Sequence, residues 1–152
     1  MAHWLLKSEP TTFGIDHLKK KKVEHWDGVR NFQARNNLRA MQVGERCFFY
    51  HSNADPIGIA GICTIVRDAY PDHTQFDPSS EYFDPKSTLE SPRWFMPDVG
   101  FVEKFKRIIT LDELKEVPGL ESMVLVNRSR LSVQPVSDQE WDIICAIAGS
   151  DG

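Results

Sequence analysis

The sequence predicts an α+β domain of five or six strands with short helices around them, and three features carry that prediction. Arg46 to His51, RCFFYH, is rich in the aromatic residues that favour strands. Ile57 to Arg67, IGIAGICTIVR, is a long apolar run with Gly58 and Gly61 inside it. Interior glycines mark a bulge, a bend or a close backbone approach, and a strand bent on itself suits a small barrel. Two capping signatures, Thr110 with Glu113 and Ser137 with Glu140, start helices late in the chain.

The elements follow in order. His3 to Lys7 is a short apolar strand, stopped by Pro10. Ile15 and Leu18 predict one or two turns of helix before the run Lys19 to Lys22. From Asn31 to Met41, Ala34, Leu38 and Met41 recur at i, i+4 and i+7, the stripe of an amphipathic helix that Gly44 ends. After the two strands comes a loop, residues 68–98, punctuated by Asp and Pro. Tyr70, Phe76, Tyr82, Phe83, Trp94 and Phe95 argue against disorder there, so the loop is expected to be a packed lid or wall. Val99 to Ile109 returns to strand. A short helix from Thr110 ends by Pro118-Gly119, and Leu120 to Val126 is a second short helix or turn. Arg130 to Val136 alternates as a strand, with Pro135 placing it at an edge. The last helix puts Trp141, Ile144, Cys145 and Ala148 on one face and stops at Gly149. No internal repeat or linker divides the chain, so residues 1–152 are read as a single domain.

Composition narrows the function classes. At 152 residues, 41% hydrophobic and 26% charged, the chain has the make-up of a globular domain with a real core. No apolar run reaches the length of a membrane span, so no membrane partner is expected. The start, MAHWLLKSEP, lacks a charged region followed by an apolar one, so no secretion signal is expected. Cys47, Cys63 and Cys145 sit in apolar runs without CxxC spacing, which fits a reducing, cytoplasmic setting better than disulfides or zinc. The net charge of -4 argues against holding long nucleic acid by charge alone. The charge is uneven, however. Residues 1–50 carry nine Lys/Arg against five acids, net +4, and residues 51–100 carry three against eight, net -5. A basic flank on an acidic body allows a short, local phosphate contact.

The basic flank contains the most informative stretch, residues 26–39, WDGVRNFQARNNLR. On a helix, Arg35 and Arg39 lie i, i+4 on a face away from the apolar stripe, and the preceding Asp27-Gly28 suits a tight turn that exposes backbone N–H groups. An aromatic, free amides and a row of arginines at a helix start suit a flat polar ligand or an anion. A surface helix with solvated arginines and a core tryptophan is the other reading of the same residues. Trp26 and Trp94 are each flanked by polar groups, Asp27 and Arg30 for one, Arg93 and Asp98 for the other. Two aromatics closing on a flat base, with polar groups reading its edge, is how single-nucleotide pockets work. The five histidines are scattered and no phosphate-loop, dinucleotide or nucleophile-elbow motif is present, so neither metal nor cofactor is expected. Glu9 or Asp27 with His51 are of the right types for acid–base work, but their spacing does not favour it over hydrogen bonding.

The strings WLLKSEP, WDGVRNFQARNNLR, FFYHSN, AYPDHTQFDPSSEYFDPKS, PRW and RLSVQPVS, in that order, resemble the EVE domain family of small bacterial proteins and their eukaryotic homologues. The resemblance runs from about His3 to Ile147. It implies a PUA-like fold, a bent five- to six-stranded β-barrel flanked by short helices, similar in architecture to the YTH readers of methylated adenine. It also implies recognition of a modified base, notably modified cytosine in DNA. Carried over by position, the pocket takes Lys7, Ser8 and Glu9 after the first strand. Trp26, Asp27, Gly28, Arg30 and Asn31 form its wall and base-reading edge, Tyr50, His51, Ser52 and Asn53 its floor or rim, and Trp94 closes it.

The expected function is therefore a non-enzymatic reader module for a modified nucleobase in DNA or RNA, with Arg35 and Arg39 on phosphate. An enzyme acting on a nucleotide or small heterocycle, with His51 and Glu9 as acid–base pair, and a protein-interaction module with an incidental pocket are the alternatives. On this reading Trp26→Ala removes ligand binding and leaves the domain folded.

Overall fold

Strand β1 (His3–Ser8) opens the chain, and its alternation divides the interior. Trp4 and Leu6 enter one hydrophobic core while Leu5 enters another on the opposite face of the sheet. Two short helices follow, α1 (Pro10–Phe13) and α2 (Ile15–Lys21). Helix α2 buries Ile15 and Leu18 and carries Lys19 to Lys21 in its last turn, where the helix dipole favours positive charge. The lysine run is thus largely helical. It leads into β2 (Val23–His25), a strand absent from the sequence expectation.

Helix α3 (Phe32–Ala40) starts where Asn31 caps it, the side chain accepting from the Ala34 N–H at 2.9 Å. Its expected stripe is buried: Ala34, Leu38 and Met41 are at most 2% exposed. Strands β3 (Arg46–His51), β4 (Gly58–Pro71) and β5 (Phe95–Thr110) make the centre of the sheet. In β3, Cys47 and Phe49 face the first core while Phe48 and Tyr50 face the second. Strands β4 and β5 both extend into the region expected as loop, because Tyr70 pairs with Met96 and Pro71 with Phe95. The register between them shifts repeatedly, which bends the sheet. Gly58 and Gly61 permit this approach, since a Cβ at either would run into the carbonyl of Ile109 or Glu103.

The chain ends in α4 (Leu111–Lys115), α5 (Val124–Asn127), β6 (Val133–Val136) and α6 (Asp138–Ala148). Ser137 and Glu140 cap α6 reciprocally. Thr110 caps α4, but the Glu113 carboxylate turns to Arg107, at 2.6 and 2.9 Å.

The computed structural model describes residues 1–127 and 130–152, and among them six strands form one mixed sheet in the order β2-β5-β4-β3-β1-β6. Strand β1 runs parallel to β3 and antiparallel to β6. The ladder is not closed: β2 and β6 stand at its two edges, the latter with Pro135 in it. The expected α+β, PUA-like architecture is present as a curled open sheet. Helices α2 and α3 cover the first core, and α4, α5 and α6 the second. No helix among the described residues is long and apolar enough to cross a membrane.

Candidate functional site

A cavity of about 670 Å³ opens beyond the end of β1, and Lys7, Ser8, Glu9, Trp26, Asp27, Gly28 and Arg30 line it. That volume lies in the range of about 300–1,000 Å³ usual for small-ligand sites. The cavity forms because β2 ends at His25 and the chain turns sharply. The Trp26 backbone N–H donates to the Pro97 carbonyl at 2.8 Å, which fixes the chain at this turn. The Trp26 ring meets Phe49 edge-on at 5.5 Å and Phe13 at 6.3 Å. Trp26 is only 8% exposed, so it is a core residue whose remaining surface forms cavity wall. That burial corrects the expectation that Trp26→Ala leaves the fold intact.

Gly28 has φ +82, and the Tyr82 ring lies directly against it. Tyr82, from the loop between β4 and β5, is the second aromatic of the cavity, with Phe13 at its edge. Burial first, then the neighbouring Glu81 charge, raises the Tyr82 phenol above its usual range, so it stays protonated at neutral pH.

Arg30 lines the cavity but holds the loop. Its Nε donates to the Tyr82 carbonyl, Nη1 to the Val29 carbonyl and Asp72, and Nη2 to Thr74 and the Tyr82 carbonyl. A guanidinium has five N–H donors, so none is left to read a base. Asp72 is fully buried and also accepts from the Gly28 N–H at 2.8 Å and the Thr74 N–H at 2.8 Å. Burial pushes its carboxyl up, but the bonds from Thr74, Gly28 and Arg30 outweigh that and hold it below the usual range. Gln75, also fully buried, ties the same loop by donating to the Asp72 and Trp94 carbonyls and accepting from the Arg93 and Trp94 N–H groups. The loop is a fixed wall.

Trp94 does not line the cavity. It is 5% exposed, its Nε1 donates to Asp84 at 2.7 Å, and Phe32 stacks on it at 4.8 Å. Asn31 is committed to capping α3. Tyr50 belongs to the second core, behind Lys7, whose Nζ lies 5.3 Å from its ring. His51 Nε2 accepts from the Ile15 N–H at 3.1 Å, which anchors α2. Burial lowers its pKa, consistent with the neutral ring that this bond requires. Ser52 and Asn53 border the cavity without lining it. The Ser52 N–H donates to the Ser8 carbonyl at 2.9 Å, and Asn53 Nδ2 reaches Glu9 at 3.5 Å.

The cavity wall is rich in acceptors. Glu9, Glu24, Asp27 and Glu81 line it, opposed by Lys7 and the fully bonded Arg30. Burial lowers the pKa of Lys7, which makes its charged form less favourable there. Such a wall suits the N–H donors of a heterocycle and repels phosphate. Outside it, Arg35, Arg39 and Arg93 gather on α3 and the loop. Burial, then Arg39 and Arg93, depress the pKa of Arg35. Among the described residues no group of His, Cys, Asp or Glu is arranged to hold a metal ion. Sequence reasoning missed Tyr82, Glu81, Glu24, His25 and Ser132 as cavity residues and Asp72 as the tie. The aromatic content of the loop hinted at the first, and nothing local marks the last.

A sequence model of the EVE domain matches residues 2–147. Thymocyte nuclear protein 1 of Homo sapiens is 47% identical over 165 residues, covering 96% of this chain and 73% of that protein. Among solved structures, a hypothetical protein from Leishmania major shares 51% identity with a TM-score of 0.94, over 98% of this chain and 95% of its own. Human THYN1 in complex with DNA containing 5-methylcytosine shares 45% identity with a TM-score of 0.93, over 100% of each chain.

Proposed function

The chain belongs to the EVE domain family, and on that premise we propose that it is a non-enzymatic reader of modified cytosine in DNA, taking the base out of the stack into the cavity beside Trp26. The observation that carries this is the match over the full chain to human THYN1, solved with DNA containing 5-methylcytosine.

The chemistry of the cavity supports the same reading. The exposed part of Trp26 and the ring of Tyr82 offer apolar surface for a flat heterocycle and its methyl group. Glu9, Asp27 and Glu81 are acceptors of the kind that pairs with the cytosine N4 amino group. Phosphates stay outside, where Arg35 and Arg39 lie on the surface of α3. The enzyme alternative needs a free base at His51, whose Nε2 is occupied by the Ile15 N–H. The buried, unpaired Cys47, Cys63 and Cys145 support a reducing compartment such as the cytoplasm.

Flipping a base costs a few kcal/mol and stacking returns about 1–3 kcal/mol per base, so the affinity is expected to be modest. One buried methyl contributes about 0.8 kcal/mol, about fourfold in affinity. The test compares duplexes carrying one 5-methylcytosine, one cytosine, or the same sequence in RNA. Preference for the methylated DNA by about fourfold or more is expected. Equal binding of methylated and plain DNA, or preference for RNA, refutes the reading. Mass spectrometry of the recovered oligonucleotide checks the non-enzymatic part, which any altered base would exclude.

A further inference from the structure

We propose that Phe32, with Arg35 and Arg93, forms a second nucleotide subsite outside the cavity, where the nucleotide next to the read base stacks on the strand's way past α3. This rests on the base-reading proposal above.

Phe32 is 49% exposed, although Ala34 and Leu38 of the same helix are fully buried. An exposed ring is entropically cheap to use only if it is already held. Here one face stacks on Trp94 at 4.8 Å with 21° between planes, and Trp94 is itself fixed by Asp84. Arg35 lies 4.8 Å from the Phe32 centroid and 5.9 Å from that of Trp94. Arg93 lies 5.3 and 5.8 Å from the same two. Each guanidinium is nearly as close to the Trp94 ring as to the Phe32 ring, so neither lies beyond the outer face of Phe32 in line with the stack. The result is a flat apolar platform with a cation at its sides, which is what a base and its phosphate need.

The donor count separates this site from Arg30. Of five N–H donors, Arg35 uses three, on Asn36 and the Arg93 carbonyl. Arg93 uses one, on Asp84. Both therefore retain donors for phosphate oxygens, whereas Arg30 retains none. The placement also fits. Phe32 follows Arg30, a cavity residue, by two positions, a span of about 7 Å at most.

The experiment measures binding of short single-stranded deoxyoligonucleotides with one 5-methylcytosine or one cytosine. Phe32→Leu keeps apolar cover over Trp94 and removes the flat ring. It is expected to weaken both oligonucleotides by the same factor, about five- to a hundredfold, leaving their ratio unchanged. Phe32→Trp, with a larger ring, is expected to hold wild-type affinity. Unchanged affinity in Phe32→Leu, an equal loss in Phe32→Trp, or a loss confined to the methylated oligonucleotide each overturns the platform. A wild-type ratio of one overturns base reading instead, and the common factor lost in Phe32→Leu remains measurable in that case.

Discussion

A Cβ placed on Gly28 would lie 2.8 Å from two ring carbons of Tyr82, so this backbone and this ring touch with no room for a side chain between them. The contact joins the turn after Trp26 to the loop between β4 and β5. It is one of the places where two distant parts of the chain become a single wall.

Gly28→Ala is therefore expected to displace the Tyr82 ring, which is half-buried and can swing. It also places a Cβ at φ +82, a conformation costing about 1–2 kcal/mol for a residue with a side chain. Stability falls by about that much, and ligand affinity falls further because the wall has moved. A double-mutant cycle with Tyr82→Ala, read by melting and by titration, checks the contact: the two losses in affinity should be non-additive. Additive losses would mean that the two residues act separately.

Arg30→Gln tests whether that arginine clamps the loop or meets phosphate. A neutral amide supplies neither the charge nor the planar fork, so the Tyr82 carbonyl loses both of its bonds and Asp72 keeps only Gly28 and Thr74. A loss of about 3 kcal/mol in unfolding free energy is expected. The slope of log affinity against log salt should stay the same, because a lost phosphate contact would change it by about 1. A slope shallower by about that amount, with stability unchanged, would put Arg30 on the nucleic acid.

Asp72 gives a pH dependence. Its folded pKa is below the ordinary carboxylate value, so as pH falls the unfolded chain takes up the proton first. Its contribution is full above an unfolded pKa of about 3.9, declines below that, and is lost as pH passes the lower folded value. Asp72→Asn is expected to be less stable at neutral pH by about 3 kcal/mol, since Arg30 loses a buried charge partner. Its stability should fall less steeply than that of the wild type below about pH 4. Denaturant melts across that range decide the matter, and parallel curves would show that Asp72 carries no linkage.

Trp26 now calls for two variants. Trp26→Ala opens a hole against Phe49 and Phe13 and is expected to cost about 3–5 kcal/mol, enough to unfold much of a marginal domain. Trp26→Phe keeps part of that packing and shortens the cavity wall, so it should stay folded and bind more weakly. Calorimetry with a binding titration on the same sample checks both. A folded Trp26→Phe with wild-type affinity would place the base elsewhere.

Periodicity along the chain determined the elements that answer only to their own neighbours. The stripe Ala34, Leu38, Met41 makes α3 amphipathic whatever it packs on, Ser137 and Glu140 cap α6 within four residues, and RCFFYH is a strand by composition. The glycines at 58 and 61 signalled a close backbone approach before the partner carbonyls were known. Strand β2 was illegible because Val23 to His25 is a strand only through its pairing with β5. Tyr50 and Phe49 are adjacent and similar, and only the register of β3 in the sheet sends one to the second core and the other towards Trp26. The choice between Tyr82 and Trp94 as the cavity's second ring was likewise beyond local signals. It depends on the path of residues 72–94, which Asp72, Gln75 and Arg30 fix by bonds between groups as much as 52 residues apart. Local propensity acts through the nearest few positions, whereas the cavity is made by side chains that meet only after the sheet has folded.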